Sequence, residues 1–165
     1  MILRTRSEAE TERVGEQLAR ALRPGSVVGL RGPLGAGKTA LVRGIARALG
    51  VDERSVHSPT FLTAAEYAGR HRLVHLDLYR HGERLPDPDW LAEQLDGDAI
   101  AVVEWFEHLG DAAPREAIVV SIDYASEVDE RVLEIAASKQ RLSEAVSAAL
   151  GEIDLATGGA RAEAT

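Results

Sequence analysis

Lys38 lies inside Gly32-Pro33-Leu34-Gly35-Ala36-Gly37-Lys38-Thr39, which has the spacing G-x-x-x-x-G-K-[ST]. Residues of these types at this spacing bind nucleotide phosphates for a physical reason. Glycines let successive backbone N–H groups converge on phosphate oxygens. The helix that follows adds a partial positive charge at its N-terminus. Lysine supplies a compact charge on a flexible stem, for which arginine's planar fork is no equal replacement. The chain holds 19 Lys and Arg residues, and only Lys38 and Lys139 are lysine. Thr39 offers a hydroxyl to Mg2+.

A phosphate cradle alone only binds, so turnover needs further groups. Glu104 ends the apolar run Ile100-Ala101-Val102-Val103. An acid there can hold Mg2+ directly or through water, since ligands gather at the carboxyl ends of open α/β sheets; otherwise it is a strand-end acid facing solvent. Asp77 shares a strand face with His75. It can orient water, accept a proton or support a metal from outside its first shell, or it lies on a half-exposed, solvated face. Ser58-Pro59-Thr60 places two hydroxyls on a proline-stiffened loop. They meet a γ-phosphate or Mg2+ as a switch segment does, or the loop simply enters a strand. The five histidines assemble no metal spacing and read as surface or loop residues. Trp105 reads as packing, although it stands beside Glu104.

These groups need elements to position them. Ser26–Leu30 reads as a buried strand. Leu41, Ile45, Ala48 and Leu49 recur at helical spacing, and Gly50 stands where a helix stops. Upstream, Ser7 and Glu10 form a capping box for a helix carrying Val14, Leu18, Ala21 and Leu22, which Pro24-Gly25 ends. Downstream, residues 61–67 and 72–79 predict two strands joined near Gly69. A short helix is expected at 90–95, a doubly buried strand at 100–103, and a pair of strands at 117–124 and 131–137 forming a hairpin at the sheet edge. A closing amphipathic helix carries Leu142, Val146, Ala149 and Leu150. We expect one α/β domain over residues 1–150, three-layered and P-loop NTPase-like. Its central sheet is mainly parallel, with antiparallel edge strands. Residues 151–165 are expected to form a frayed tail.

Composition narrows the class. The 165 residues are 45% hydrophobic and 28% charged, a globular profile. No cysteine is present, which excludes disulfides and thiolate metal sites. No apolar run reaches the length of a membrane span, and Met1–Arg6 lacks the apolar core of a signal peptide. We therefore expect a cytoplasmic protein with no membrane partner. A net charge of −8 is a poor basis for gripping nucleic acid directly, so an RNA-related role would run through a partner.

Four segments occur in one order: Gly32–Thr39, His57-Ser58-Pro59-Thr60-Phe61, His75-Leu76-Asp77-Leu78-Tyr79-Arg80 and Val103-Glu104-Trp105. Together they resemble the TsaE (YjeE) family, the bacterial ATPase of tRNA threonylcarbamoyladenosine synthesis, over roughly residues 7–137. The resemblance implies an ATP- and Mg2+-dependent subunit, weakly active alone and more active in a complex with TsaD- and TsaB-type proteins. Turnover would reset that complex, and tRNA would be met only through it. By motif position, Gly35, Ala36, Gly37, Lys38, Thr39 and Ala40 would cradle the phosphates. Thr39 and Glu104 would hold Mg2+. Lys38, Thr60, Asp77 and Glu104 would carry turnover, and Trp105 would adjoin the site. Glu8, Glu107 and Arg131 would border the nucleotide base.

The chain departs from that family at three places. Pro33 replaces the usual Asp, Phe106 follows the Glu-Trp pair where Pro is common, and residues 80–98 are rewritten around Pro86 and Pro88. Two other readings compete. In one, the chain is a P-loop small-molecule kinase with Asp77 as base and Arg80 and Arg84 on a lid. In the other, it is a nucleotide-gated binding protein in which turnover hardly matters.

Overall fold

The computed structural model describes residues 1–60, 63–81, 86–151 and 153. Four strands form a parallel centre: β2 (Val27–Arg31), β4 (Arg72–Asp77), β5 (Ala99–Glu104) and β6 (Ile118–Tyr124). Three antiparallel strands extend it, β1 (Ile2–Thr5), β3 (Ala64–Tyr67) and β7 (Arg131–Ala137). The order across the sheet is β1-β7-β6-β2-β5-β4-β3. β5 is buried at all six positions, as befits a strand covered on both faces.

Strand alternation divides the core in two. Leu73, Ile100, Val102, Ile118 and Val120 face α1 (Glu8–Leu18), α2 (Lys38–Ala48) and α4 (Gln140–Gly151). Val74, Leu76, Val103 and Ala117 face α3 (Pro88–Gln94) and a 3-10 segment, Phe106–Ala112. The result is the expected three-layer α/β domain with a P-loop NTPase fold.

Two glycines set how α2 sits against α1. A Cβ on Gly44 would lie 1.9 Å from the Glu12 carbonyl oxygen, and one on Gly15 would lie 2.2 Å from the Leu41 carbonyl oxygen. No side chain fits in either place, so the two backbones touch. Glu12 closes the seam by accepting from Arg43 Nε at 2.9 Å and Arg47 Nη2 at 2.7 Å. Burial pushes the Glu12 carboxyl up, but the hydrogen bonds from Arg43 and Arg47 and their charges outweigh it and hold it below its ordinary value of 4.5.

Several sequence expectations shift. Residues 2–5 form β1, which the sequence reading omits, so the β6–β7 hairpin lies one strand in from the edge. Ser7 caps α1 as expected, accepting from the Glu10 N–H at 3.2 Å. Glu10 reaches back one residue further than a capping box requires, to the Arg6 N–H at 2.7 Å. α3 starts at Pro88 rather than Trp90, because Asp87 caps it through the Asp89 and Trp90 N–H groups and proline suits the first helical turn. β4 ends at Asp77, and Tyr79 begins a 3-10 turn. Residues 61–62, Arg84 of the suggested lid, and nearly all of the expected tail lie outside the described residues.

Candidate functional site

β2 delivers the chain into the phosphate loop at its C-terminal end, and α2 leaves it. The loop turns on glycines with positive φ, at Gly32 (135°), Gly35 (77°) and Gly37 (107°), and Gly37 is the N-cap of α2. These conformations suit glycine and free the N–H groups of the first helical turn for an anion. Two side chains of the β6–β7 hairpin grip the loop from outside. The Tyr124 hydroxyl donates to the Leu34 carbonyl at 2.6 Å, and Arg131 Nε donates to the Ala36 carbonyl at 3.2 Å. Arg131 also lies over the Tyr124 ring, 4.7 Å from its centroid.

Lys38 is 4% exposed. Its ammonium donates to the carbonyls of Gly32 at 2.7 Å and Pro33 at 2.9 Å and sits 4.1 Å from the centroid of the Trp105 ring. Burial draws its pKa below the ordinary lysine value, against the opposing pull of Glu104, Glu107 and Asp77. Trp105 adopts a left-handed backbone, φ 59°, uncommon for a bulky residue and a mark of local strain. Its ring packs between Tyr79 and His108, with centroids 4.9 and 5.7 Å away.

The two acids occupy adjacent strand ends, on the α2 face of the sheet. Glu104 Oε1 accepts from the Thr39 hydroxyl at 2.8 Å and lies 2.9 Å from His75 Nε2. Asp77 Oδ1 accepts the Tyr79 N–H at 2.9 Å, while Oδ2 accepts the Thr60 hydroxyl at 2.6 Å and the Ser58 hydroxyl. The proline-stiffened loop thus closes on Asp77 through two hydroxyls. Asp77 is 2% and Glu104 3% exposed, so neither is the solvent-facing strand acid that the sequence also allowed.

A cleft of about 420 Å3 joins these groups. It is lined by the predicted Glu8, Gly35, Ala36, Gly37, Lys38, Thr39, Ala40, Thr60, Asp77, Glu104, Trp105 and Arg131. Glu107 is the exception: it is exposed on the Phe106–Ala112 segment and reaches the site only through its charge on Lys38. Sequence reading did not offer several lining residues for the site, among them Ser7, Thr11 and Arg43. It also placed His75 on the surface by default, whereas His75 is fully buried. Its position two residues before Asp77, on the same strand face, was the available signal.

The donor set fits a magnesium nucleotide. A threonine hydroxyl and carboxylate oxygens are hard ligands of the kind Mg2+ prefers. Among the described residues no group of three or more His, Asp or Glu side chains forms a metal cage. Mg2+ is commonly held by one or two protein oxygens that share the ion with substrate phosphates. Among the described residues no helix is long and apolar enough to cross a membrane.

Comparison with known proteins gives a concordant picture. The family model described as threonylcarbamoyl adenosine biosynthesis protein TsaE matches residues 5–133. The tRNA threonylcarbamoyladenosine biosynthesis protein TsaE of Treponema pallidum is 39% identical over 119 residues, covering 72% of this chain and 87% of that protein. Its counterpart in Bacillus subtilis is 36% identical over 139 residues, covering 84% and 86%. The crystal structure of Bacillus subtilis YdiB superposes with a TM-score of 0.76 at 30% identity, covering 90% of this chain and 93% of that one.

Proposed function

The chain belongs to the TsaE family of threonylcarbamoyl adenosine biosynthesis proteins, and we propose that it is the Mg2+-dependent ATPase subunit of the tRNA-modifying system. The observation that carries this reading is the 2.8 Å hydrogen bond between Thr39 and Glu104. It joins the hydroxyl that follows the P-loop lysine to the acid at the end of β5, the pairing a magnesium nucleotide needs.

In this reading the N–H groups from Gly35 to Ala40 receive the phosphates, with Lys38 leaving the Gly32 and Pro33 carbonyls to meet the β- and γ-oxygens. Thr39 and Glu104 hold Mg2+. When bound, the ion neutralises charge developing on the phosphates. Asp77 and Thr60 orient the attacking water. Glu8 and Arg131, which both line the cleft, flank the nucleoside. Partners of the TsaD and TsaB types in the cytoplasm would couple turnover to resetting of the complex, with tRNA engaged through them. The ATPase is assigned to residues 1–150.

The kinase alternative has less support. Asp77 accepts hydrogen bonds from Ser58, Thr60 and the Tyr79 N–H, so both of its carboxylate oxygens already have donors within the chain. The test is ATP hydrolysis with Mg2+ by this chain alone, then with TsaB- and TsaD-type proteins and tRNA. Stimulation by the partners that Glu104→Ala removes is the expected result. ADP release that needs a small hydroxylated acceptor instead would transfer the assignment to the kinase.

A further inference from the structure

His75 is an expensive residue where it stands. It is fully buried in the middle of β4, and its Nδ1 is buried with no hydrogen-bond partner. Its neighbours in β4, Leu73, Val74 and Leu76, are aliphatic, and it pairs in register with Val102 and Ala65. An aliphatic side chain would suit this environment and leave no polar atom stranded. What the imidazole adds is one contact, Nε2 at 2.9 Å from Glu104 Oε1.

That oxygen also receives the Thr39 hydroxyl. Oε1 of an ionised carboxylate can only accept, so in this contact Nε2 is the donor. A threonine hydroxyl has one proton and two lone pairs. While its proton is committed to Glu104, its lone pairs remain available to a cation. The orientation of the Glu104 carboxylate therefore governs what Thr39 can do.

We propose that His75 is a positioning residue for the Thr39–Glu104 pair, clamping the carboxylate in the orientation that receives the Thr39 proton. The inference rests on the reading that this pair holds Mg2+. Partners that orient a metal ligand from behind typically alter metal affinity by about 10–100-fold when removed. Neither nucleotide nor phosphate needs to touch His75 for this effect.

The experiment measures ADP affinity by calorimetry with Mg2+ and with EDTA, and takes the ratio. His75→Leu keeps the volume and loses the donor. His75→Gln places an N–H donor near the position of Nε2, and His75→Asn places one too short to reach. The expected result is a Mg2+-dependent gain reduced roughly 10-fold in His75→Leu and His75→Asn, restored to within about threefold in His75→Gln. ADP affinity in EDTA should stay within about twofold of wild type in all three. If His75→Leu does not fold, the Gln and Asn variants decide. Equal gains in those two, or losses that appear equally in EDTA, would reduce His75 to a packing residue. Should the wild-type protein itself show no Mg2+-dependent gain, the metal assignment falls and the His75 role with it.

Discussion

Asp77 and Glu104 are register partners, opposite one another on the parallel strands β4 and β5 at the edge of the nucleotide cleft. Adjacent buried carboxylates would repel if left bare. Here each is occupied by different donors: Glu104 by Thr39 and His75, Asp77 by Ser58, Thr60 and the Tyr79 amide. The sheet therefore holds two acids side by side with separate duties, one turned to the P-loop helix and one to the switch-like loop. A slip of one residue in either strand would send its acid to the opposite face.

Lys38→Ala should weaken ATP and ADP binding by 10-fold or more, because a charge-assisted contact to phosphate is lost. Calorimetry against the wild type checks this, and an unchanged affinity would sink the P-loop assignment.

Asp77→Asn should leave ADP affinity within about threefold while turnover falls at least 10-fold, on the scale typical of a lost proton-handling or water-orienting group. Single-turnover hydrolysis separates the two quantities. A variant that no longer binds nucleotide would put Asp77 among the groups that shape the cleft.

Gly44→Ala should destabilise the fold with no change in site chemistry. The new methyl meets the Glu12 carbonyl at 1.9 Å, and backbone cannot yield as a side chain can. A cost of about 3 kcal/mol, at the upper end of ordinary overpacking, lowers Tm by roughly 6–12 °C in a domain of this size. Calorimetric melting of the variant provides the measurement.

Glu12 gives stability a pH dependence. Its folded pKa lies below its unfolded value of 4.5, so its contribution is present above that value and is lost as pH falls through the folded pKa. The melting temperature of wild type should fall more steeply from pH 5 toward pH 3 than that of Glu12→Gln. Parallel curves would show that the Arg43 and Arg47 contacts carry no linkage.

The P-loop, the strand before it and the helix after it were legible because the signal is local: glycines, an apolar run and a 3.6-residue period lie within 25 residues. Glu104 was legible for the same reason, at the end of an unbroken apolar run. β1 was not. Ile2-Leu3-Arg4-Thr5 becomes a strand only because β7, some 130 residues away, offers it an open edge. The burial of His75 was not legible because alternation with Val74 and Leu76 looks like a half-exposed strand, and only the packing over that face reveals that both sides are covered. Tyr124 carried no motif at all. Its hydroxyl reaches Leu34 because β6 lies beside β2, a fact of strand order rather than of spacing. Glu107, offered by the resemblance, is exposed on the Phe106–Ala112 segment and does not line the cleft.

The contact between α1 and α2 through Gly15 and Gly44 also limits how the molecule can communicate. With backbone against backbone and Glu12 bonded to two arginines, the helices that carry Glu8 and Lys38 are tied directly to one another. Ser58 and Thr60, by contrast, are tethered to Asp77 by hydroxyl hydrogen bonds, which exchange partners at little cost. The helices and the loop are thus held at the cleft by different means, the helices by backbone packing and the loop by side-chain hydroxyls.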